Sequence, residues 1–471
     1  MSLSRFTIRT SDRRVFRRCL RKWGFMSSLK GNLQRKGSEQ NINFWFGSAI
    51  HFAMEDYHGW NKFGDPRRAF KAYYDCFPAE ERPAGADLMY GVGIGMLTYY
   101  LEWYSRKNRD LEFETLWLDQ DNKMVSANTL RAQPAVEQQF FLDLGIRVVV
   151  DKKTERILCE YDVSMEDIGS ATWPQIVRMH NGFNLDGDEN SDGYTLYYFE
   201  GPNTLPEEKI EVSIVPIHYH GTIDKIVVDR LGRWWLLDYK TAKGADTNKL
   251  DTDDQISAYM WAAEQWFQHP IYGFIYLQLT KDVARPPKRL KNGELSVEKK
   301  QKTTYALLRQ AIIDDFGSIQ KAPNKYIEFL NIMAEKETPE GDRFIRWDFV
   351  KRSRNQLIST YNHVMGEART MIDPNIYLYP NPTRDCIWDC PLRDVCLALD
   401  DHRNEEVNFM LSDGYENRPR GEEGKEPEWR DKLVYPEEQL GLALDSDFAE
   451  ELDSVFDIEL PSEFTEDDIK E

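Results

Sequence analysis

Gly221-Thr222-Ile223-Asp224-Lys225-Ile226, Leu236-Leu237-Asp238-Tyr239-Lys240-Thr241 and Gln255-Ile256-Ser257-Ala258-Tyr259 follow one another in a single stretch of the 471-residue chain. Around them, Ile210–His218, Thr222–Asp229 and Arg233–Tyr239 are β-branched or aromatic runs that predict three strands. The last two are joined by a turn at Arg230–Gly232. Asp253–Phe267 has the apolar spacing of an amphipathic helix, and Ile271–Leu279 is apolar enough for a buried strand. Strand, strand, strand, helix, strand is an α/β order in which the helix is the crossover.

The polar residues inside this apolar frame need a reason. Residues i and i+2 of a strand face the same side, so Asp238 and Lys240 project together and Tyr239 lies opposite. Carboxylates and an ammonium among apolar strands cost several kcal/mol unless they pair or bind a metal. A lone Asp-x-Lys is as readily a structural salt bridge as a reactive site. Here it has company. Asp224 precedes it in Gly221-x-x-Asp224, and Gln255 and Tyr259, at i and i+4, share one face of the following helix. Upstream, His51 lies in Gly47-Ser48-Ala49-Ile50-His51, early in a helical stretch. Carboxylates that hold divalent cations suit attack on phosphodiesters, whose charge repels a hydroxide. A lysine beside them would orient the attacking water or stabilise developing charge.

Outside the core of about 210–280, residues from about 11 to 108 read as helical, through Asp12–Trp23, Phe46–Trp60, Pro66–Cys76 and Ala86–Arg106. Val136–Leu144 alternates as a strand does. An inserted β and loop region spans about 145–208, opening with a hairpin, Arg147–Cys159, that turns at Lys152–Thr154. Helices resume at about Ser296–Phe316 and Trp347–Met371. Residues 1–402 thus read as one domain, with C-terminal helices and a cysteine cluster over 296–402, and 403–471 as an acidic, largely disordered tail.

The net charge of -20 is unevenly placed. Residues 403–471 hold 23 Asp+Glu against 7 Lys+Arg, which leaves the first 402 residues close to neutral. The first 36 residues carry 11 Lys+Arg and one acid, Asp12, and a second basic stretch runs from Lys281 to Lys302. Such clusters either neutralise phosphates or are solvated faces. No apolar run reaches the length of a membrane span and no h-region opens the chain, so the expected location is cytoplasmic. No Gly-rich loop ending in Lys-Ser/Thr predicts an ATP-driven motor.

Cys76 and Cys159 read as small buried hydrophobes. Cys386, Cys390 and Cys396 form a tight trio, and with the distant Cys19 they suit a four-thiolate site for iron–sulfur or tetrahedral zinc.

Gly47…His51, Gly221-x-x-Asp224, Asp238-Tyr239-Lys240-Thr241 and Gln255-x-x-x-Tyr259, in this order, resemble the PD-(D/E)XK nuclease superfamily. The likeness is to its RecB-like exonuclease branch, which includes the AddB nuclease domain and the CRISPR-adaptation nucleases. The resemblance implies a restriction-endonuclease-like fold: a central mixed sheet flanked by helices, here with a helical N-terminal part and the insertion. It further implies Mg²⁺ or Mn²⁺ held by His51, Asp224, Asp238 and the carbonyl of Tyr239, with Lys240 catalytic and Gln255 and Tyr259 auxiliary. Glu137 lies on a strand that looks like the acidic strand of relatives. Members with one N-terminal and three C-terminal cysteines bind a [4Fe–4S] cluster, which would assign Cys19, Cys386, Cys390 and Cys396. The implied activity is DNA exonuclease action on single strands or ends, in replication, recombination or repair. A structure-specific endonuclease and a non-catalytic DNA-binding scaffold are the alternatives. A compact chain without helicase motifs suits a phage-encoded member, acting in the host cytoplasm. The acidic tail would mimic DNA, recruit a protein partner, guard the basic groove or stay solvated.

Overall fold

The computed structural model describes residues 5–37, 41–111, 113–161, 183–186, 194–198, 209–244, 249–337, 341–388, 390–418 and 427–435. Its centre is a mixed sheet. Phe6–Arg9 (β1), Val136–Asp151 (β2), Ile157–Tyr161 (β3), Lys209–Val228 (β4), Trp234–Ala242 (β5), Ile271–Thr280 (β6) and Ile345–Val350 (β7) belong to it, in the spatial order β7-β6-β5-β4-β2-β3. β5 and β6 are parallel and the other neighbours on this path are antiparallel, while β1 runs parallel to β4.

β5 explains the layering. Trp234 and Leu236 join a core beneath Asp254–Phe267 (α6) and Arg354–Ile372 (α9). Trp235, Leu237 and Tyr239 join a second core formed with Ile42–His58 (α3), Pro66–Asp75 (α4) and Ala86–Leu111 (α5). A strand covered on both faces reads as a continuous apolar run, and Trp234–Leu237 of β5 does. At α6, the Asp253 side chain caps the backbone N–H groups of Gln255 and Ile256, a contribution of about 1 kcal/mol.

The expected strand–helix–strand core, with a parallel crossover, is present. Several local expectations change. Ile210–His218 and Thr222–Asp229 are one strand, β4, because Gly221 continues the ladder opposite Phe140. Val136–Leu144 and the first arm of the hairpin are likewise one strand, kinked where Gly145 adopts φ +70° and the register slips. Ser296–Thr304 is not helical; the helix (α7) starts at Tyr305, capped by Thr304. Trp347 lies in β7, and the helix beyond starts after the Ser353–Gln356 capping box. An unanticipated helix, Asn324–Lys336 (α8), packs with α7 in a satellite core. Most of the 145–208 insertion lies outside the described residues. Past His402 the chain is not all tail. Asn404–Gly414 is helical, Tyr415–Asn417 pairs with Leu33–Arg35, and Pro427–Tyr435 packs near α3.

Candidate active site

The site forms where β4 loses a neighbour. β1 pairs with β4 as far as His220, and β5 pairs from Lys225 onward. Between them, Gly221–Asp224 have no paired strand on that edge among the described residues. The register would set Asp224 opposite Asp238, but the strands separate there. Instead of a backbone carbonyl, the Asp224 carboxylate Oδ2 accepts the Tyr239 N–H at 2.7 Å. Gly221 is needed for closeness. A Cβ there would lie 2.7 Å from the Phe140 ring and 3.1 Å from Tyr259. Gly47 is less constrained, with only Thr241 Oγ1 at 4.0 Å.

Three ligand-bearing groups meet at this gap. His51 Nδ1, on α3, lies 3.4 Å from Asp224 Oδ2 and 3.7 Å from Glu137 Oε1. One ligand atom from each of the three falls within 4.8 Å of the others. Glu137 arrives from β2, beside Asp224, one step past the last pair, Gln138 with Ile223. It does so at φ +45°, a left-handed conformation that costs a glutamate energy and is typical of strain held at functional sites. Next to them, Lys240 Nζ sits 2.9 Å from both oxygens of Asp238 and donates a hydrogen bond to Oδ1. Asp238 Oδ2 is buried with no hydrogen-bond partner of good geometry. An acceptor lone pair left in this way, beside two further carboxylates and an imidazole, fits a hard divalent cation with oxygen and nitrogen donors.

The electrostatics agree with that donor set. Burial raises Asp238 to about 6, helped by Asp224 and opposed by Lys240. Burial also raises Asp224, with Glu137 adding to the effect and His51 opposing it. Burial alone would lower His51, but the Asp224 and Glu137 carboxylates bring it up to about 9. Burial works against the Lys240 ammonium too, yet Asp238 and Asp224 hold it above its ordinary value. Three carboxylates thus crowd two cations, an excess of negative charge that a metal ion relieves.

Tyr239 turns to the opposite face as expected, its ring stacked at 6.2 Å on His58, which leaves its backbone at the site. Gln255 and Tyr259 line the same cavity as His51, Glu137 and Lys240, a space of about 1110 Å³. Burial raises the Tyr259 hydroxyl, which keeps it a proton donor.

The basic N-terminal stretch is largely consumed within the protein. Arg13 and Arg17 pair with Asp254 and Glu367, Arg18 with Asp385, and Arg21 with Asp400. Arg9 and Arg14 still line the cavity, as does Lys281 from the second basic stretch. In that stretch Arg289 pairs with Asp315, and Lys302 with Asp282.

The cysteines gather at the other end. Cys19 occupies the break between Thr10–Arg18 (α1) and Leu20–Met26 (α2), where its Sγ accepts from Lys22 N–H at 3.5 Å. Arg21 donates to Cys396 Sγ at 3.1 Å, and Thr383 N–H to Cys386 Sγ at 3.4 Å. Burial raises the Cys390 thiol, opposed by Lys22 and helped by Cys386 and Cys19, so all three thiols share one neighbourhood. Among the described residues, the metal-ligand side chains that lie within 4.8 Å of one another in groups of three or more do not include these cysteines.

A mixed sheet whose opened edge gathers acids, a histidine and a lysine defines a metal-dependent nuclease of restriction-endonuclease-like fold. The sequence model of the PD-(D/E)XK nuclease superfamily matches residues 10–397, and the chain belongs to that superfamily. None of the curated proteins compared with it matches. Among the described residues no helix is long and apolar enough to cross a membrane.

Proposed function

We propose that the protein is a Mg²⁺- or Mn²⁺-dependent DNA exonuclease of the RecB-like branch, acting in replication, recombination or repair. The observation that carries it is the meeting of His51, Glu137 and Asp224 within 4.8 Å, beside the Asp238–Lys240 pair, at a cavity of about 1110 Å³. His51, Asp224, Asp238 and the Tyr239 carbonyl would hold the metal, and Glu137 joins them. When bound, the ion neutralises the scissile phosphate and lowers the pKa of its water. Lys240, oriented by Asp238, places a positive charge where the attacking water and the phosphate meet. Gln255 and Tyr259 contribute neutral donors from the facing helix, suited to phosphate oxygens.

For Cys19, Cys386, Cys390 and Cys396 we favour a [4Fe–4S] cluster over zinc. A single tetrahedral ion, with metal–sulfur bonds of about 2.3 Å, needs sulfurs about 4 Å apart. A cluster taking one thiolate per iron accepts wider spacing and so suits thiols brought from two distant parts of the sequence. A phage-encoded protein working in the host cytoplasm, with the acidic tail recruiting a partner, belongs to the same reading.

The test is cleavage of end-labelled single-stranded, double-stranded and circular DNA with Mg²⁺ or Mn²⁺. Release of end nucleotides from linear DNA, with circles spared, is expected. Cutting of circles would favour the structure-specific endonuclease reading, and no cutting of any substrate would favour a scaffold.

A further inference from the structure

The mouth of the catalytic cavity is ringed by aromatic side chains that the phosphodiester chemistry does not use. Phe44 is 79% exposed, Trp60 56% and Tyr435 41%, and all three line the cavity that holds His51, Glu137 and Lys240. Single exposed aromatics are ordinary. Three at one opening are an apolar surface set beside a reaction centre.

Two of the rings are held in place from behind, and the third stands on a capped helix end. Trp117 meets Trp60 edge-on at 5.5 Å, and Phe63 backs Tyr435 at 5.1 Å. Phe44 stands in the first turn of α3, which Asn41 caps through Asn43 N–H. The segment that brings Tyr435 there is itself anchored. Arg430 pairs with Glu55, Trp429 packs edge-on against Phe52 at 5.2 Å, and Leu433 is buried in the α3–α5 core. Cations accompany the rings. Lys62 Nζ lies 4.9 Å from the Tyr435 ring centroid, and Lys281, which lines the same cavity, has its Nζ 2.6 Å from Asn43 Oδ1 and 5.5 Å from the Phe46 ring centroid.

Rigid rings with ammonium groups beside them match the two faces of an unpaired nucleic-acid strand, bases and phosphates. In a duplex the bases stack on each other and their faces are covered. We propose that Phe44, Trp60 and Tyr435 form a base-stacking rim that holds an unpaired strand at the cavity mouth by its bases, feeding the backbone to the centre. The inference rests on the nuclease reading and assigns that site its substrate form.

The experiment measures affinity without cleavage. Full-length protein in EDTA is titrated into a labelled single strand of about 12 nucleotides, within the usual site sizes of single-strand binders, and into an abasic strand of equal length. The wild type should prefer the base-bearing strand by between about fivefold and about a hundredfold for each ring engaged. In Phe44→Ala/Trp60→Ala and in Tyr435→Ala that ratio should shrink, and Trp60→Tyr should restore much of it. Unchanged melting temperatures would show that the fold persists. A wild-type ratio near one, a ratio kept in both variants, tighter binding of blunt duplex than of single strand, or no binding at all would overturn the proposal. Because no cutting is read, a rim-dependent ratio in a protein that cuts nothing would sink the nuclease reading and spare the rim. Cutting with a ratio of one would do the reverse.

Discussion

At the residue scale, the site depends on one backbone departure. Glu137 takes a left-handed conformation to reach His51 and Asp224. Glu137→Gln should therefore slow metal-dependent cleavage by about 100-fold or more, the scale of losing one electrostatic contact in an active site. Metal titration by calorimetry should show weaker binding as well; unchanged rate and affinity would remove Glu137 from the site. Lys225 makes a different prediction. It is fully buried and pushed down to about 7 by burial alone. Between about 7 and the ordinary 10.5 the unfolded chain binds the proton that the folded chain has released, so this residue makes stability rise with pH across that window. Lys225→Met should stabilise the protein most at or below pH 7, with the advantage shrinking toward pH 10.5, as chemical denaturation would show. Periodicity makes Asp238 and Lys240 one pair and Gln255 and Tyr259 another in the sequence, whereas that Asp224 and the two pairs belong to one site was implied by the order of the motifs and the family resemblance. Glu137 was only half legible, since its role depends on the register of two strands far apart in the chain and on a φ that no pattern announces.

At the element scale, α1 is fastened to the α6–α9 layer by charge. The Arg13 side chain is 1% exposed, with Nη1 3.1 Å from Asp254 Oδ2 and Nε 2.6 Å from Glu367 Oε2. Removing one member of a buried network leaves the others uncompensated, so Arg13→Ala should cost about 3–5 kcal/mol in a urea unfolding curve. A loss under about 1 kcal/mol would mean that water or Arg17 takes over the carboxylates. These arginines also show why a basic stretch is ambiguous in sequence: their partners lie more than two hundred residues away. The misplaced helix starts have a local cause. Ser296–Thr304 carries polar residues compatible with a helix, but Lys288 N–H and Gln301 side-chain hydrogen bonds tie it as a loop, and the effective cap is Thr304. Trp347–Val350 reads as a helix start only until β6 supplies the pairing edge.

At the scale of the whole molecule, the two ends of the chain close on each other. Leu33–Arg35 pairs with Tyr415–Asn417, Arg21 N–H donates to the Tyr379 carbonyl at 3.1 Å, and the cysteine neighbourhood sits at this junction. Protein prepared without oxygen should be brown, and Cys390→Ser should lose the visible absorption and melt at lower temperature. Colourless protein containing zinc would favour the tetrahedral ion instead. That these two parts of the chain meet was implied by the family's pattern of one N-terminal and three C-terminal cysteines, whereas the return of 404–418 and 427–435 was hidden by their polar composition.

The most direct measurement compares Mn²⁺-dependent cleavage of end-labelled linear DNA by the wild type and by Lys240→Ala, with equal melting temperatures as the control. Lys240 joins the Asp238 carboxylate to the cavity, so its loss should abolish cutting while the fold persists. Undiminished cutting by Lys240→Ala would contradict the assignment of this centre.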